Sequence, residues 1–536
     1  MINQPTLKSR LDRGGARRWG SIFIAAGVIL CAAQTQAQQA GVPSLRPNGA
    51  TWGRETAALP TNPDQGATIT IPQPLSITDA ERYRQIFELQ RTGQLRRAEL
   101  LIGWLGDHRL LGHVQAQRYL GNGYRSSYQE LSAWLARYND HPEAPRLYAL
   151  AVSRRPAGAT MPHKPAFDGS RTGTPDQSAI GTVPHWQDGI TNWRRGNLGT
   201  AAWHFEKAAA ASQGNDWDRA AAAYWAARAH LKNREPAKVS QWLGLAAQYS
   251  RTFYGQLAGR ALGLDPNFDW STLPLTESSV RAVARSSVGQ RALALLQVGE
   301  IGFAEDEMQG LLRNAGPDLA AGLHAIAQVY QLPSLALGLG VAAELQPNRR
   351  ADADLYPLPR WQPKGGFSLD RSLMFALVRQ ESAFDPRAQS GAGAAGLMQL
   401  MPETAKAVGG QVRDLHDPAT NLALGQEYLR RLLADPQIDN NLFLMAIAYN
   451  AGPGSLAKWR AADPTGDPLL FIESLPNQET RSFVERVMAN IWIYQQRLGQ
   501  PTPSLDHVAS GGWPLYQPQD GFASATTEAS AGNGAN

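Results

Sequence analysis

The chain has 536 residues, 43% of them apolar, a single cysteine and a formal net charge of +5. That length exceeds what one hydrophobic core organises, so more than one domain is expected, and the scarcity of β-branched runs favours helix. The charge does not mark a polyanion binder: residues 1–37 carry Lys8, Arg10, Arg13, Arg17 and Arg18 against Asp12, and about +1 remains once that net +4 is set aside.

Those first residues read as a secretory leader. A basic stretch precedes the apolar run IFIAAGVILCAA, and polar and small residues end in Thr35-Gln36-Ala37. The run is shorter than the roughly 20 residues a bilayer span needs. Cleavage near Ala37, a periplasmic location and no stable membrane span are therefore expected, with an uncleaved anchor as the alternative. Leu30 stands before Cys31 where a lipoprotein signal needs a small residue, which argues against lipidation. The mature chain would then hold no thiol for a disulfide, a nucleophile or a metal.

Residues 38–75, rich in Gln, Pro, Thr and Gly, read as a linker. Helical patterning begins at Ile77, and an all-α domain is expected over 76–355. Within it the pattern Gly-x-Leu/Ile-x-x-Ala occurs at Gly93-Leu95-Ala98, Gly196-Leu198-Ala201 and Gly299-Ile301-Ala304. Glycine would end one helix, the aliphatic residue would pack into the pair, and alanine would let the next helix approach closely. That is the look of a helix-pair solenoid, an α-superhelix. The stretch 154–184 has no period and reads as a long surface insertion. A Pro/Gly-rich joint at 356–368 leads into a second, compact helical block over 365–500, and a small, polar tail over 501–536 is expected to be disordered.

In the second block Ser368 is placed to cap a helix whose first turn contains Asp370. Its inner face runs Met374, Leu377, Val378 and then Glu381. Spacing puts that carboxylate on the apolar stripe, where burial would raise its pKa and let it donate a proton near neutral pH. A helix-end glutamate capped by local amides, or paired with Arg379 or Arg387, is the other reading. The stretch SGAGAAGLMQLMPETA keeps small residues where bulky ones could stand, so that a long substrate could approach the backbone. Pro402 suits the first turn of a new helix, with Glu403 at its positive end. The segment NLFLMAIAYNAGPGS puts Tyr449 on a helix face with Leu442 and Met445, as a core residue or as a donor lining a cleft. A last helix starts near Asn477, and Glu479 heads its stripe Phe483, Val487, Ile491, either to stabilise the helix N-terminus or to serve a site.

Taken together, ESAFDPRAQSGAGAAGLMQLMPETA, AYNAGPG and LPNQETRSFVERV resemble the catalytic domain of the soluble lytic transglycosylases, a fold similar to goose-type lysozyme. The resemblance covers about 135 residues, from near 365 to near 500. RAAAAYWAARAHLKN and AAQYSRTFYGQLAGRALG are similar to the superhelix of the larger members. The fold it implies is mainly α, an N-terminal superhelix followed by a lysozyme-like, mostly helical catalytic domain. It implies Glu381 as the single catalytic acid/base, Ser390, Met398, Gln399, Met401, Tyr449 and Asn450 along the sugar cleft, and Glu479 as a supporting cleft carboxylate. The implied substrate is the peptidoglycan glycan strand, cut between N-acetylmuramic acid and N-acetylglucosamine to leave 1,6-anhydro ends, from chain ends by preference. Protein partners would belong to cell-wall synthesis or secretion complexes.

Two rivals remain open: a muramidase of the goose-lysozyme type, and a silent glycan-binding scaffold. The ten histidines form no HExxH and no Gly-rich phosphate loop follows a strand, so no metal, nucleotide or other cofactor, and no nucleic-acid partner, is expected.

Overall fold

The structure is a computed structural model that describes residues 58–59 and 69–520, apart from 122, 168–170, 172, 174–179, 213–214, 272–275, 314, 345–350, 410–414 and 463–465. The expected leader, most of the expected linker and the last sixteen residues lie outside the described residues. Apart from a two-residue antiparallel pairing of Ala58–Leu59 with Ile69–Thr70, the named elements are helices. No described helix is long and apolar enough to cross a membrane.

All three glycine patterns sit where a helix pair needs them. Ile77–Arg91 is followed by Leu95–Ile102, Trp186–Arg194 by Leu198–Ala211, and Ser287–Val298 by Ile301–Leu312. Gly93, Gly196 and Gly299 take φ of 74°, 76° and 85°, the left-handed region that glycine enters without a Cβ clash. In each turn the next N–H reaches back to close the helix end: Gln94 to the Leu89 carbonyl at 2.7 Å, Asn197 to Asn192 at 2.9 Å and Glu300 to Leu295 at 2.9 Å. Ala98, Ala201 and Ala304 are fully buried at the close approach.

The same turn occurs twice more without glycine. Arg234 (φ 62°) and Gln331 (φ 54°) hold the left-handed position, and Glu235 and Leu332 close on His230 and Ala327 at 2.9 and 2.8 Å. They join Asp216–Lys232 to Pro236–Ala247 and Pro317–Val329 to Pro333–Glu344. A glycine-led pattern misses both.

One buried cluster packs the first helices of the region, from Ile71 to Val114, against helices spanning Val283 to Leu339. Gln297 exchanges two 2.9 Å hydrogen bonds with the backbone of Leu75, so the helical region returns on itself. Deeper in that contact His113 is fully buried between Glu143 (2.9 Å) and Glu307 (2.8 Å), and Arg291 grips Glu307 at 2.6 and 3.0 Å.

A second cluster joins helices from Trp186 to Ala258 with the C-terminal helices. Phe253 stacks on Trp492 at 5.2 Å, and Gln256 donates to the Ala489 carbonyl at 3.1 Å. The long helix Gln478–Arg497 is therefore buried on both sides.

Three expectations are corrected. The tail is ordered as far as Asp520: Pro503–Ala509 is a helix, and Asp370 accepts the N–H groups of Gln519 and Asp520 at 2.9–3.1 Å. The helix N-terminus is consequently not capped by Ser368. It starts at Arg371, whose N–H donates to Asp520 at 3.0 Å, a cap supplied from 149 residues away. The insertion is not confined to the surface either, because Ile180 is buried, donates to Ser482 at 3.0 Å and accepts from Arg481 at 2.7 Å.

Candidate active site

Glu381 stands on the last turn of the helix Arg371–Ser382, whose Leu373, Met374, Leu377 and Val378 are buried. The helix stops there because Ala383 (φ 50°) and Phe384 (φ 63°) both turn left-handed. Such positions cost a non-glycine residue about 1 kcal/mol each, offset here by the complete burial of Phe384. The chain thereby leaves the helix directly after the carboxylate, which keeps part of its surface open to solvent.

The arginines that a structural reading would pair with Glu381 are committed elsewhere. Arg379 donates to the Leu355 carbonyl at 2.9 Å and lies over the Tyr356 ring, and Arg387 grips Asp306 at 2.8 and 2.7 Å. Among the described residues the Glu381 carboxylate has no hydrogen bond and no ion pair. Burial pushes its pKa up to about 8, and the like charge of Glu479 adds to the shift.

Beyond the helix the small-residue loop folds on itself. Ala395 bridges to both Gln389 and Leu400. Ser390 spends its hydroxyl on the N–H of Ala394 (3.0 Å), and Gln399, itself left-handed at φ 43°, donates its amide to Ala388 and Gly396 carbonyls at 3.1 and 2.9 Å. Gly396 is required: a Cβ there would stand 2.0 Å from the Leu415 carbonyl oxygen. Met401 is exposed. Met398 departs from its expected place in the cleft, since its side chain is fully buried and its sulfur fills the space over Gly425. Its backbone carbonyl accepts the Tyr449 hydroxyl at 2.6 Å.

Tyr449 lies on Leu442–Ala451, a helix capped by the Asn441 side chain at 3.0 and 3.2 Å. Its ring stacks parallel to Phe483 (6.4 Å, 6°) and tilts against Tyr428. Burial first, and the Glu381 charge second, hold its hydroxyl well above the usual phenol range. The structure thus brings Tyr449 into the field of Glu381, as a bound donor that also belongs to an aromatic cluster. Asn450 accepts the Thr480 hydroxyl at 2.7 Å and so ties this helix to Gln478–Arg497. There Asn477 is the cap, accepting from Thr480 N–H at 3.2 Å, and Glu479 is exposed in the first turn.

Glu381, Tyr449 and Glu479 therefore converge electrostatically. Ser390 and Gln399 brace the intervening loop.

Two groups of supporting residues escape a reading of the sequence. Asn421, fully buried, holds the loop through Met398 N–H (2.8 Å) and the Ala395 and Leu415 carbonyls (3.0 and 2.8 Å). Arg171, from the insertion, bridges Asp306 (2.9 Å) to Asp385 (3.0 Å), four residues after Glu381. Neither lies near a motif, and only the helix-to-loop packing pairs them with the site.

Among the described residues, ion-binding donors gather at His113, His141 and Glu307 and at His185, Asp188 and His204. Both ring nitrogens of His113 are already engaged by carboxylates.

A transglycosylase SLT domain family model matches residues 362–471. The soluble lytic murein transglycosylase of Escherichia coli K12 is 29% identical over 295 residues, 52% of this chain and 44% of that protein. A putative soluble lytic murein transglycosylase of Haemophilus influenzae is 38% identical over 147 residues, 26% of this chain and 24% of its own length. The chain thus spans less than half the length of these curated relatives. Among solved structures, a 70-kDa soluble lytic transglycosylase in complex with bulgecin A is similar in fold, with a TM-score of 0.51 at 20% identity, over 83% of this chain and 76% of that one. This likeness supports the architecture of an α-superhelix joined to a lysozyme-like domain.

Proposed function

The chain belongs, through its SLT domain, to the soluble lytic transglycosylases, and from that premise we propose that it cleaves the β-1,4 bond between N-acetylmuramic acid and N-acetylglucosamine in peptidoglycan, leaving 1,6-anhydromuramoyl ends. The observation that carries the reading is the Glu381 carboxyl, partly shielded from water, without a hydrogen bond or ion pair among the described residues, and with a pKa pushed up to about 8.

Glycosidases with two working carboxylates set them about 5–10 Å apart to manage a nucleophile or a water. A single carboxyl suffices when the substrate supplies the rest. Glu381 gives its proton to the bridging oxygen as the glycosidic bond breaks, and the 2-acetamido carbonyl of the muramoyl residue stabilises the positive charge at the anomeric carbon. The Glu381 carboxylate then takes the proton of the sugar's 6-hydroxyl, whose oxygen closes the 1,6-anhydro ring. One bond breaks, one forms, the proton returns to Glu381, and no water is consumed. The reaction is an intramolecular glycosyl transfer, and the enzyme a lyase rather than a hydrolase.

Glu479 supports this cycle by its charge, which disfavours ionisation of Glu381 before the substrate binds. Tyr449 and the braced 388–400 loop line the sugar cleft, with Ser390, Gln399, Met401 and Asn450 contributing to it. Peptidoglycan lies outside the cytoplasmic membrane, so the leader read at residues 1–37 fits a periplasmic enzyme of wall turnover. The closure of the helical region on itself favours action from strand ends.

Mass spectrometry of the muropeptides released from purified peptidoglycan tests the proposal, with Glu381→Gln alongside. Anhydro-ended disaccharide-peptides from the wild type alone are expected. Products heavier by one water would make the enzyme a muramidase, and release by the variant would remove Glu381 from the mechanism.

A further inference from the structure

A cleft of about 870 Å³ lies far from the catalytic motifs in the chain, between the end of the helix Leu111–Leu120, the turn after it and the helix Ala144–Ser153. Its lining includes three arginines, Arg125, Arg146 and Arg154, two tyrosines, Tyr119 and Tyr124, and no carboxylate. The tyrosine rings stack on each other at 6.0 Å. Arg154 is anchored by its guanidinium on the carbonyl and hydroxyl of Ser126 at 2.5 and 2.7 Å. Arg125 and Arg146 are exposed, and among the described residues neither has a hydrogen bond or an ion pair.

The surrounding charges explain why these cations are left over. From Arg118 to Arg155 the chain carries Arg118, Arg125, Arg137, Arg146, Arg154 and Arg155 against Glu130, Asp140 and Glu143. None of the three acids pairs with Arg125 or Arg146. Glu143 is buried on His113, Asp140 holds Arg291 and His141, and Glu130 closes the cap of the helix Tyr128–Tyr138 and accepts the Tyr124 hydroxyl. Of the other cations, Arg118 is engaged by Gln90 and Glu99, and Arg137 lies over the Tyr138 ring. The result is a concave surface lined by arginines and by a contacting pair of tyrosines. Guanidinium groups favour carboxylates there because the charge-assisted pair can be bidentate.

We propose that this cleft binds the carboxylates of peptidoglycan peptide stems and so holds the wall polymer at a second place on the enzyme. The inference rests on the peptidoglycan reading for its choice of anion, while the cleft itself is independent of the catalytic chemistry. Each stem presents several carboxylates on a short flexible backbone, which suits two free guanidinium groups in a cleft that also holds a tyrosine pair. Such a site would keep an enzyme on an insoluble substrate between cleavage events by raising the local concentration of strand at the catalytic cleft.

The test uses the full chain carrying Glu381→Gln, so that the polymer survives, with and without Arg125→Ala/Arg146→Ala. Calorimetric titration with free stem tetrapeptide, and sedimentation with purified sacculi, should each show affinity falling at least about tenfold in the double variant. Binding should also weaken as salt rises. With Glu381 intact, the same two substitutions should leave cleavage of short, peptide-free glycan fragments unchanged. Equal peptide affinity in both proteins overturns the proposal, as does undiminished binding of a tetrapeptide whose carboxylates are amidated. Displacement of the peptide by inorganic phosphate at equal concentration would make the cleft a general anion site and overturn the assignment to stems. Stem binding with no anhydro products would refute the reaction and leave the site standing. Anhydro products with no stem binding would do the reverse.

Discussion

Of the sites that withdraw a glutamate from water, two treat it in opposite ways. In the helical region Glu143 and Glu307 close on His113 from both sides, and Arg291 adds a bidentate grip on Glu307. Despite the cost of burial, the neighbouring carboxylates raise His113 to about 10, and the histidine holds Glu143 below the usual carboxylate range. At the end of the helix Arg371–Ser382, burial acts on Glu381 with no opposing cation among the described residues, and the carboxyl rises to about 8. Buried charge that serves the fold is paired, because an unpaired one is destabilising by several kcal/mol. Glu381 avoids that penalty by staying neutral, and neutrality is what a proton donor needs.

The comparison breaks most sharply at Glu381 itself. Glu381→Gln should lower turnover roughly 10³-fold, about 4 kcal/mol of barrier, with the far-UV circular dichroism unchanged. Its stability should diverge from the wild type with pH. A carboxyl whose pKa rises on folding contributes stability below its unfolded value near 4.5 and loses it as pH climbs through about 8. The permanently neutral amide has no such loss, so the melting temperature of the variant should exceed that of the wild type by more at pH 9 than at pH 5. For the wild type, kcat/KM should fall on the alkaline side with an apparent pKa near 8. A flat profile through pH 9 would disconnect Glu381 from the first proton transfer.

The paired site should fail in the complementary manner. His113→Ala leaves Glu143 buried without its cation and should cost about 3–5 kcal/mol in urea unfolding, while turnover per folded molecule stays near normal. The His113 contribution is present below pH 6.5 and is lost as pH rises through about 10. The difference between variant and wild type should therefore shrink at strongly alkaline pH.

Smaller effects sharpen the contrast. Tyr449→Phe removes one hydrogen bond to the Met398 carbonyl and should reduce kcat/KM about tenfold, with a change in melting temperature of only a few degrees. A collapse of the melting temperature at full specific activity would make Tyr449 purely a core residue. Asp520→Ala deletes the remote cap of the Glu381 helix. It should cost about 1 kcal/mol, seen as a small shift of the denaturation midpoint.

Much of the architecture was legible in the residues because it is set locally. A helix pair announces itself where glycine is needed to enter the left-handed region, and the patterns at Gly93, Gly196 and Gly299 mark three such turns. Arg234 and Gln331 make the same turn with side chains that carry no sequence signal, so those pairs needed the structure. The helix Gln478–Arg497 begins where Asn477 allows and buries the expected Phe483, Val487 and Ile491. Periodicity likewise placed Glu381 on an apolar face, since 3.6 residues per turn is a property of the backbone alone.

What that glutamate does depends on groups that periodicity cannot reach. Its two nearby arginines turned out to serve Leu355, Asn490 and Asp306 instead, and only three-dimensional packing shows that they leave it unpaired. The buried side chain of Met398, the ordered segment up to Asp520 and the insertion clamped on Ser482 share the same cause: each depends on a partner more than twenty residues away in the chain. Sequence determines backbone preferences within a turn or two. Desolvation and pairing, which set the pKa of Glu381, are sums over neighbours that only the tertiary fold assembles.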